Sequence, residues 1–228
     1  MKTEVLTQRS NLWREMRVGV FTASRYSDIM TEPRTKAARE ANEWSETAKS
    51  YGLEKLAELI TGVPADTFHS EPTRWGMEHE AEAFTRAIPV IESVFGASIE
   101  KPEGRNAFIL HPTEHSIGCS PDGVIGDAGL LELKCPWNPV NHLRTVRARA
   151  MPEKHTEQVQ GSLWITGRQW YAFCSYDPRV EAAGLDPLFV ARVCRDERYI
   201  TEFLAPRVIR FRDWVFDEFE RLTGKAPF

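Results

Sequence analysis

Apolar positions along this chain change spacing several times, and the changes mark out its elements. Over residues 42–61, Trp44, Ala48, Tyr51, Leu56, Leu59 and Ile60 form a stripe at helical spacing, which Gly62 and Pro64 bring to a stop. Residues 10–30 also predict helix, interrupted near Val18-Gly19-Val20-Phe21, where Thr22 or Ser24 offers a cap for a restart. Pro33 places 31–35 in a loop. A second long helix is expected from Trp75-Gly76 through Phe84 toward Val94, despite Pro89. Residues 106–110, 116–119 and 130–135 are short apolar runs of strand character. A helix opened by Met151-Pro152 carries Gln158, Leu163 and Trp164 to Gly167, and strands follow over 170–176 and 188–195. An amphipathic helix over 200–222 offers Phe203, Ile209, Trp214, Phe216 and Phe219 for packing. With no repeat or linker to divide it, this order predicts one α/β domain, a mixed sheet flanked by helices.

The 228 residues are 42% hydrophobic, which supports a full-sized core and argues against wholesale disorder. No run reaches the roughly 18 apolar residues of a membrane span, and Met1-Lys2-Thr3-Glu4-Val5 is too polar for a secretory signal. Cys119, Cys135, Cys174 and Cys194 are widely spaced with no CxxC pair, against a zinc or iron–sulfur site; the cytoplasm is the expected compartment. A net charge of -4 argues against coating nucleic acid through bulk charge, so any DNA contact must gather its positive residues on one surface. Two stretches are candidates. One holds Arg9, Arg14, Arg17, Arg25, Arg34, Lys36 and Arg39; the other, 142–155, holds Arg144, Arg147, Arg149 and Lys154 against Glu153. Taken alone, such runs are more often solvated faces.

The chemistry concentrates in Ser120-Pro121-Asp122-Gly123 and Glu132-Leu133-Lys134. Strand alternation puts Glu132 and Lys134 on one face and Leu133 on the other. Leu130, Leu131, Leu133 and Cys135 mark that strand as buried, where a carboxylate and an ammonium need partners or a metal. If Asp122 lies on a neighbouring strand, two carboxylates can hold a hard cation such as Mg²⁺, and the lysine can orient or activate water against a phosphate. The plain alternative is a salt bridge within a strand pair. The residues favour a metal-dependent phosphodiesterase.

Asp122 with Glu132-Leu133-Lys134 matches the signature of the PD-(D/E)xK nuclease superfamily, whose core has this order of elements. Further segments narrow the match: Arg17-Val18-Gly19-Val20-Phe21-Thr22-Ala23-Ser24, Trp75-Gly76-Met77-Glu78-His79-Glu80, Cys119-Ser120-Pro121-Asp122-Gly123, Leu131-Glu132-Leu133-Lys134-Cys135-Pro136, Gln158-Val159-Gln160 with Trp164, and Tyr176-Asp177-Pro178-Arg179. In these the chain resembles the lambda exonuclease (YqaJ-type viral recombinase) family, in the family's order and at its length. The resemblance implies a restriction-endonuclease-like α/β core and a single exonuclease domain over 1–228. Within it, a helical part over about 1–70 precedes a nuclease core over about 71–195 and a C-terminal helix over about 196–228.

The resemblance also implies roles. Asp122, Glu132 and the backbone carbonyl of Leu133 would hold Mg²⁺, two ions per site, with Mn²⁺ able to substitute. Glu80 would add a carboxylate, while Glu78 and Glu82 face elsewhere. Lys134 would position or deprotonate the attacking water, and Gln158 would add a neutral contact, with Gln160 pointing away. Arg17, with Ser24 and Thr22, would grip a 5′-phosphate, although an ion pair for Arg17 and plain capping for Thr22 and Ser24 are the bland readings. Arg34 would reach a DNA groove. The implied activity is 5′-to-3′ digestion of linear duplex DNA to mononucleotides, leaving a 3′ overhang. A homotrimeric ring and a phage single-strand annealing protein would be its partners, inside a bacterial host. Trp13, Trp137 and Trp170 are candidates for core or interface, and Glu71-Pro72-Thr73-Arg74 lacks a bulky wedge to part the strands. The competing readings are an endonuclease or repair nuclease of the same fold, or a catalytically silent DNA-binding scaffold.

Overall fold

The computed structural model describes residues 7–65, 70–104 and 107–227. Its strands, in chain order, are β1 (Phe21–Thr22), β2 (Ile99–Glu100), β3 (Ile109–Leu110), β4 (Ile117–Cys119), β5 (Gly123–Ile125), β6 (Gly129–Lys134), β7 (Trp170–Tyr176) and β8 (Leu188–Cys194). Five of them form a mixed sheet in the order β2-β5-β6-β7-β8, parallel between β6 and β7 and antiparallel elsewhere. The others form a small sheet in the order β1-β4-β3. The helices are α1 (Asn11–Glu15), α2 (Tyr26–Met30), α3 (Lys36–Glu40), α4 (Glu46–Thr61), α5 (Glu71–Phe95), α6 (Pro139–Ala148), α7 (Thr156–Thr166), α8 (Glu197–Tyr199) and α9 (Ala205–Thr223). The fold is therefore the expected α/β arrangement of a mixed sheet and flanking helices. No described helix is long and apolar enough to cross a membrane.

The central strand β6 is covered on both faces. Leu131 and Leu133 pack with Ala83, Phe84, Ala87 and Ile91 of α5, while Leu130 packs with Val159 and Leu163 of α7. Burial from both sides explains the near-continuous apolar run Leu130-Leu131 before the charged pair. Two glycines are steric requirements of this packing. A Cβ on Gly129 would stand 2.5 Å from the Trp170 indole, and one on Gly123 would stand 2.9 Å from Leu131 Cβ.

A second core joins the N-terminal elements to α9. Phe21, Tyr26, Ile29, Tyr51 and Ile117 pack with Val208, Phe211, Val215 and Phe219. The Tyr51 and Phe211 rings stack at 5.8 Å, and Phe21 meets Phe211 edge-on at the same separation. Each such buried side chain contributes about 1.5–3 kcal/mol.

Several boundaries depart from the periodicity. The α4 helix starts after Trp44, because Ser45 caps it through Oγ to Ala48 N at 3.1 Å and Trp44 turns inward against Phe211. The α5 helix opens at Glu71, ahead of Trp75, with Ser70 as its cap and Pro72 in its first turn, and it runs through Pro89. The α6 helix lies where only a basic run was read; Asn138 caps it at Val140 N, with Pro139 in its first turn. Before α9 the chain makes a π turn over Ile200–Leu204, which buries Ile200 and Leu204 and leaves Phe203, expected in the core, 53% exposed. Asn106, expected in a strand, lies outside the described residues.

Candidate active site

Alternation along β6 puts Glu132 and Lys134 over α7, where Gln158 is presented from the first turn. Gln158 Nε2 donates to Glu132 Oε1 at 2.6 Å, Lys134 Nζ meets the same oxygen at 2.6 Å, and Lys134 also donates to Gln158 Oε1 at 3.2 Å. Both bonds to Glu132 fall on Oε1, so Oε2 keeps its lone pairs for another partner. Asp122 arrives from the start of β5. Its backbone N–H donates to Leu131 O at 3.0 Å, and its Oδ2 accepts from Leu133 N at 2.7 Å.

Burial and the nearby negative charge of Glu132 push the Asp122 carboxyl well above its usual range, with Glu80 adding to the effect against the pull of Lys134. Burial opposes the Lys134 ammonium, but Glu132 and Asp122 outweigh it and hold its pKa above the ordinary lysine value. Carboxylates crowded in this way favour a cation. Among the described residues no three acidic, imidazole or thiol groups gather tightly enough to hold a metal unaided. The donors at hand are Asp122 Oδ1, Glu132 Oε2 and backbone carbonyl oxygen. They are hard oxygen ligands, and such a set fits Mg²⁺ completed by water and phosphate better than zinc.

Glu80, on α5, is close enough to act on Asp122 but is engaged by Arg9 Nη2. Glu78 is exposed, and Glu82 is exposed and pairs with Arg86 at 3.3 Å. Gln160 turns away, bonding Cys194 O at 2.9 Å and Asp196 N at 2.8 Å.

A cavity of about 880 Å³ runs from Lys134, Leu133 and Glu80 past Gly76 and Met77 to Arg14 and Arg25. There it adjoins a cavity of about 290 Å³, with Trp13, Arg14, Arg25, Glu54 and Ala65 on both walls and Arg17, Thr22 and Ser24 at the inner end. Arg17 Nη1 donates to Ser120 Oγ at 3.3 Å, Nη2 donates to Thr22 Oγ1 at 3.4 Å, and the guanidinium lies 4.2 Å from the Trp13 ring centre. Among the described residues it has no carboxylate partner, so the ion pair that was the bland reading is not made. Desolvation lowers its pKa, an energetic cost that an anion in the pocket would offset.

The acids of this pocket are already neutralised. Glu54 pairs with Arg25 at 2.9 Å, and the buried Glu58 pairs with Lys55 at 2.7 Å while accepting from Gly19 N at 2.9 Å. Thr22 stands at the cap position of a short 3-10 turn, yet its hydroxyl serves Arg17 and Ser24 and makes no side-chain capping bond. Ser120 and Trp13, which hold Arg17 from two sides, were missed as site residues. Ser120 lay inside the Ser-Pro-Asp-Gly motif, a signal that could have found it.

Arg34 is exposed on the loop before α3, outside the residues lining these two cavities. Arg179 is structural: it pairs with the fully buried Asp177, donates to the carbonyls of Pro136 and Trp137 at 3.1 Å, and lies over the Trp75 ring at 4.2 Å. It thus fixes the chain leaving β6. Trp170 is a core residue, whereas Trp137 is 46% exposed.

The YqaJ-like viral recombinase domain matches residues 12–169. An alkaline exonuclease from Laribacter hongkongensis, solved alone and in complex with dAMP, is 30% identical; the match covers 94% of this chain and 97% of that one, with a TM-score of 0.78. A phage-related exonuclease from Haemophilus somnus 129PT is 18% identical, with 90% and 95% covered and a TM-score of 0.60, a likeness of fold. The uncharacterised protein ExoD of Escherichia coli K12 is 30% identical over 78 residues, 33% of this chain and 86% of its own length.

Proposed function

Because the chain belongs to the YqaJ-like viral recombinase family, we propose that it is a Mg²⁺-dependent exonuclease that degrades linear duplex DNA from its 5′ ends. The similarity to an alkaline exonuclease along nearly the whole chain supports nuclease chemistry. One observation carries the preference for ends: the cavity beside Asp122, Glu132 and Lys134 leads to a recess in which Arg17 has no carboxylate partner among the described residues. A terminal phosphate seated there would receive two guanidinium N–H groups and the hydroxyl of Ser24, with Thr22 behind them.

Asp122, Glu132 and the Leu133 carbonyl would hold the metal, and Glu80 would supply a further carboxylate. Bound Mg²⁺, two ions with Mn²⁺ as a substitute, would stabilise charge on the attacking and leaving oxygens. Lys134, fixed by Glu132 and Gln158, would position the attacking water or accept its proton. Gln158 keeps Glu132 from turning away. Arg34 would touch the incoming duplex from its loop. The products would be 5′-mononucleotides and a 3′ overhang, passed to an annealing protein, and a homotrimeric ring in the cytoplasm would keep the enzyme on its substrate.

The test is digestion of linear duplex carrying a label at either end, with 5′-phosphate or 5′-hydroxyl, in Mg²⁺ and in EDTA. Mg²⁺-dependent release of 5′-mononucleotides, faster from phosphorylated ends, is the expected result. Internal fragments would establish an endonuclease, and DNA binding without cleavage a scaffold.

A further inference from the structure

Arg9 lies at the metal-binding end of the cavity with an uncommon backbone. Its φ is +69°, in the left-handed region that a residue with a Cβ disfavours. The segment is nevertheless pinned. Gln8 Nε2 donates to Pro121 O at 2.7 Å, next to Asp122; Thr7 bridges to Glu103; and Ser10 caps α1 through Trp13 N at 3.2 Å. The strained turn aims the Arg9 guanidinium at the Glu80 carboxylate. Arg9 and Glu80 also line two cavities in common: the large one that reaches Lys134, and one of about 270 Å³ that reaches Asp122.

We propose that Arg9 is a substrate-binding residue that exchanges between Glu80 and the substrate's phosphate: it neutralises Glu80 in the free enzyme and moves to the incoming phosphodiester when a divalent cation takes the carboxylate. This rests on the metal-dependent reading above. Arg9 takes Glu80 Oε2, and a metal on the same carboxylate would place a second cation beside the guanidinium, so the two oppose each other there. A released guanidinium stays on the cavity wall, where a phosphate is the anion it would meet. The exchange keeps charge balanced at each stage, because one cation leaves the carboxylate as another arrives and a new anion enters with the DNA. It also gives a role to the turn at Arg9, whose φ is +69° where the side chain meets Glu80.

The experiment compares wild type, Arg9→Gly and Arg9→Lys. Glycine suits the backbone and removes the guanidinium, so a loss of fold would not confound the result. Mn²⁺ affinity is measured calorimetrically without DNA, and duplex binding is measured separately in Ca²⁺. Arg9→Gly is expected to bind Mn²⁺ about tenfold tighter and duplex about tenfold more weakly, as for a unit charge removed from beside both ligands. Arg9→Lys should restore both values most of the way. In a Glu80→Gln background, Arg9→Gly should raise Mn²⁺ affinity by clearly less than it does in wild type. Unaltered or weaker Mn²⁺ binding by Arg9→Gly overturns the exchange and leaves the metal reading standing. No Mn²⁺ binding by wild type removes both.

Discussion

The backbone N–H of Leu133 donates to Oδ2 of Asp122 at 2.7 Å. This bond joins the acidic residue at the start of β5 to the strand that presents Glu132 and Lys134. It satisfies one carboxylate oxygen and, among the described residues, leaves the other without a bond, so Asp122 is fixed in place without being consumed. A strand pair held in this way needs close backbone approach, which is why the motif continues with glycine.

Gly123→Ala tests that approach. The new Cβ would meet Leu131 at 2.9 Å inside the sheet, so the variant should lose about 1–3 kcal/mol and melt about 2–4 °C lower per kcal/mol lost. Metal affinity should fall with it, because Asp122 moves. An unchanged melting temperature would mean the strands separate freely.

Lys134→Ala should lower cleavage by about 10²–10⁴-fold while Mn²⁺ and duplex binding persist. The ammonium bonds Glu132 and Gln158 and contributes no metal ligand. Gln158 remains to orient Glu132, so the fold should hold. Turnover near the wild-type rate would remove the lysine from the mechanism.

Arg17→Ala should impair 5′-phosphorylated ends at least tenfold more than 5′-hydroxyl ends, since a charged hydrogen bond to phosphate contributes about 1.5–3 kcal/mol. Competition between the two substrates in one tube is the direct readout. Equal losses on both would reduce Arg17 to a packing partner of Trp13.

His155 supplies a pH prediction. Burial, helped by Lys134 and Lys154, lowers its pKa to about 3, against 6.5 for the free side chain. The folded protein therefore resists a proton that the unfolded chain accepts below pH 6.5, so stability falls as pH drops from 6.5 toward 3. Allowing for partial exposure, the loss between pH 6.5 and 5 is about 1 kcal/mol. His155→Phe, beside Phe173, should flatten urea-derived stability over that interval. An identical slope in both proteins would assign the sensitivity to other groups.

Much of the site was legible because its geometry follows from local rules. Alternation places Glu132 and Lys134 together, and Gln158 stands in the first turn of α7. The stretches 170–176 and 188–195 read as strands because apolar and aromatic residues dominate both over a strand's length. What stayed hidden depends on contacts distant in sequence. The pairing of Arg9 with Glu80, the Ser120 support for Arg17, and the Arg25 partner of Glu54 join residues that no short window relates. The α6 helix was hidden for another reason: its apolar positions Val140, Leu143 and Val146 remain exposed, so they trace no core-facing stripe.

The stacking of Phe211 on Tyr51 has a consequence in time. Tyr51 Oη accepts from the backbone N–H of Thr22, the residue that backs Arg17, so α9 braces the recess from beneath. Synthesis is vectorial, and α9 leaves the ribosome after every residue assigned to catalysis. A nascent chain can thus assemble the strands bearing Asp122, Glu132 and Lys134 before the recess proposed for a terminal phosphate has its support, and that recess matures last.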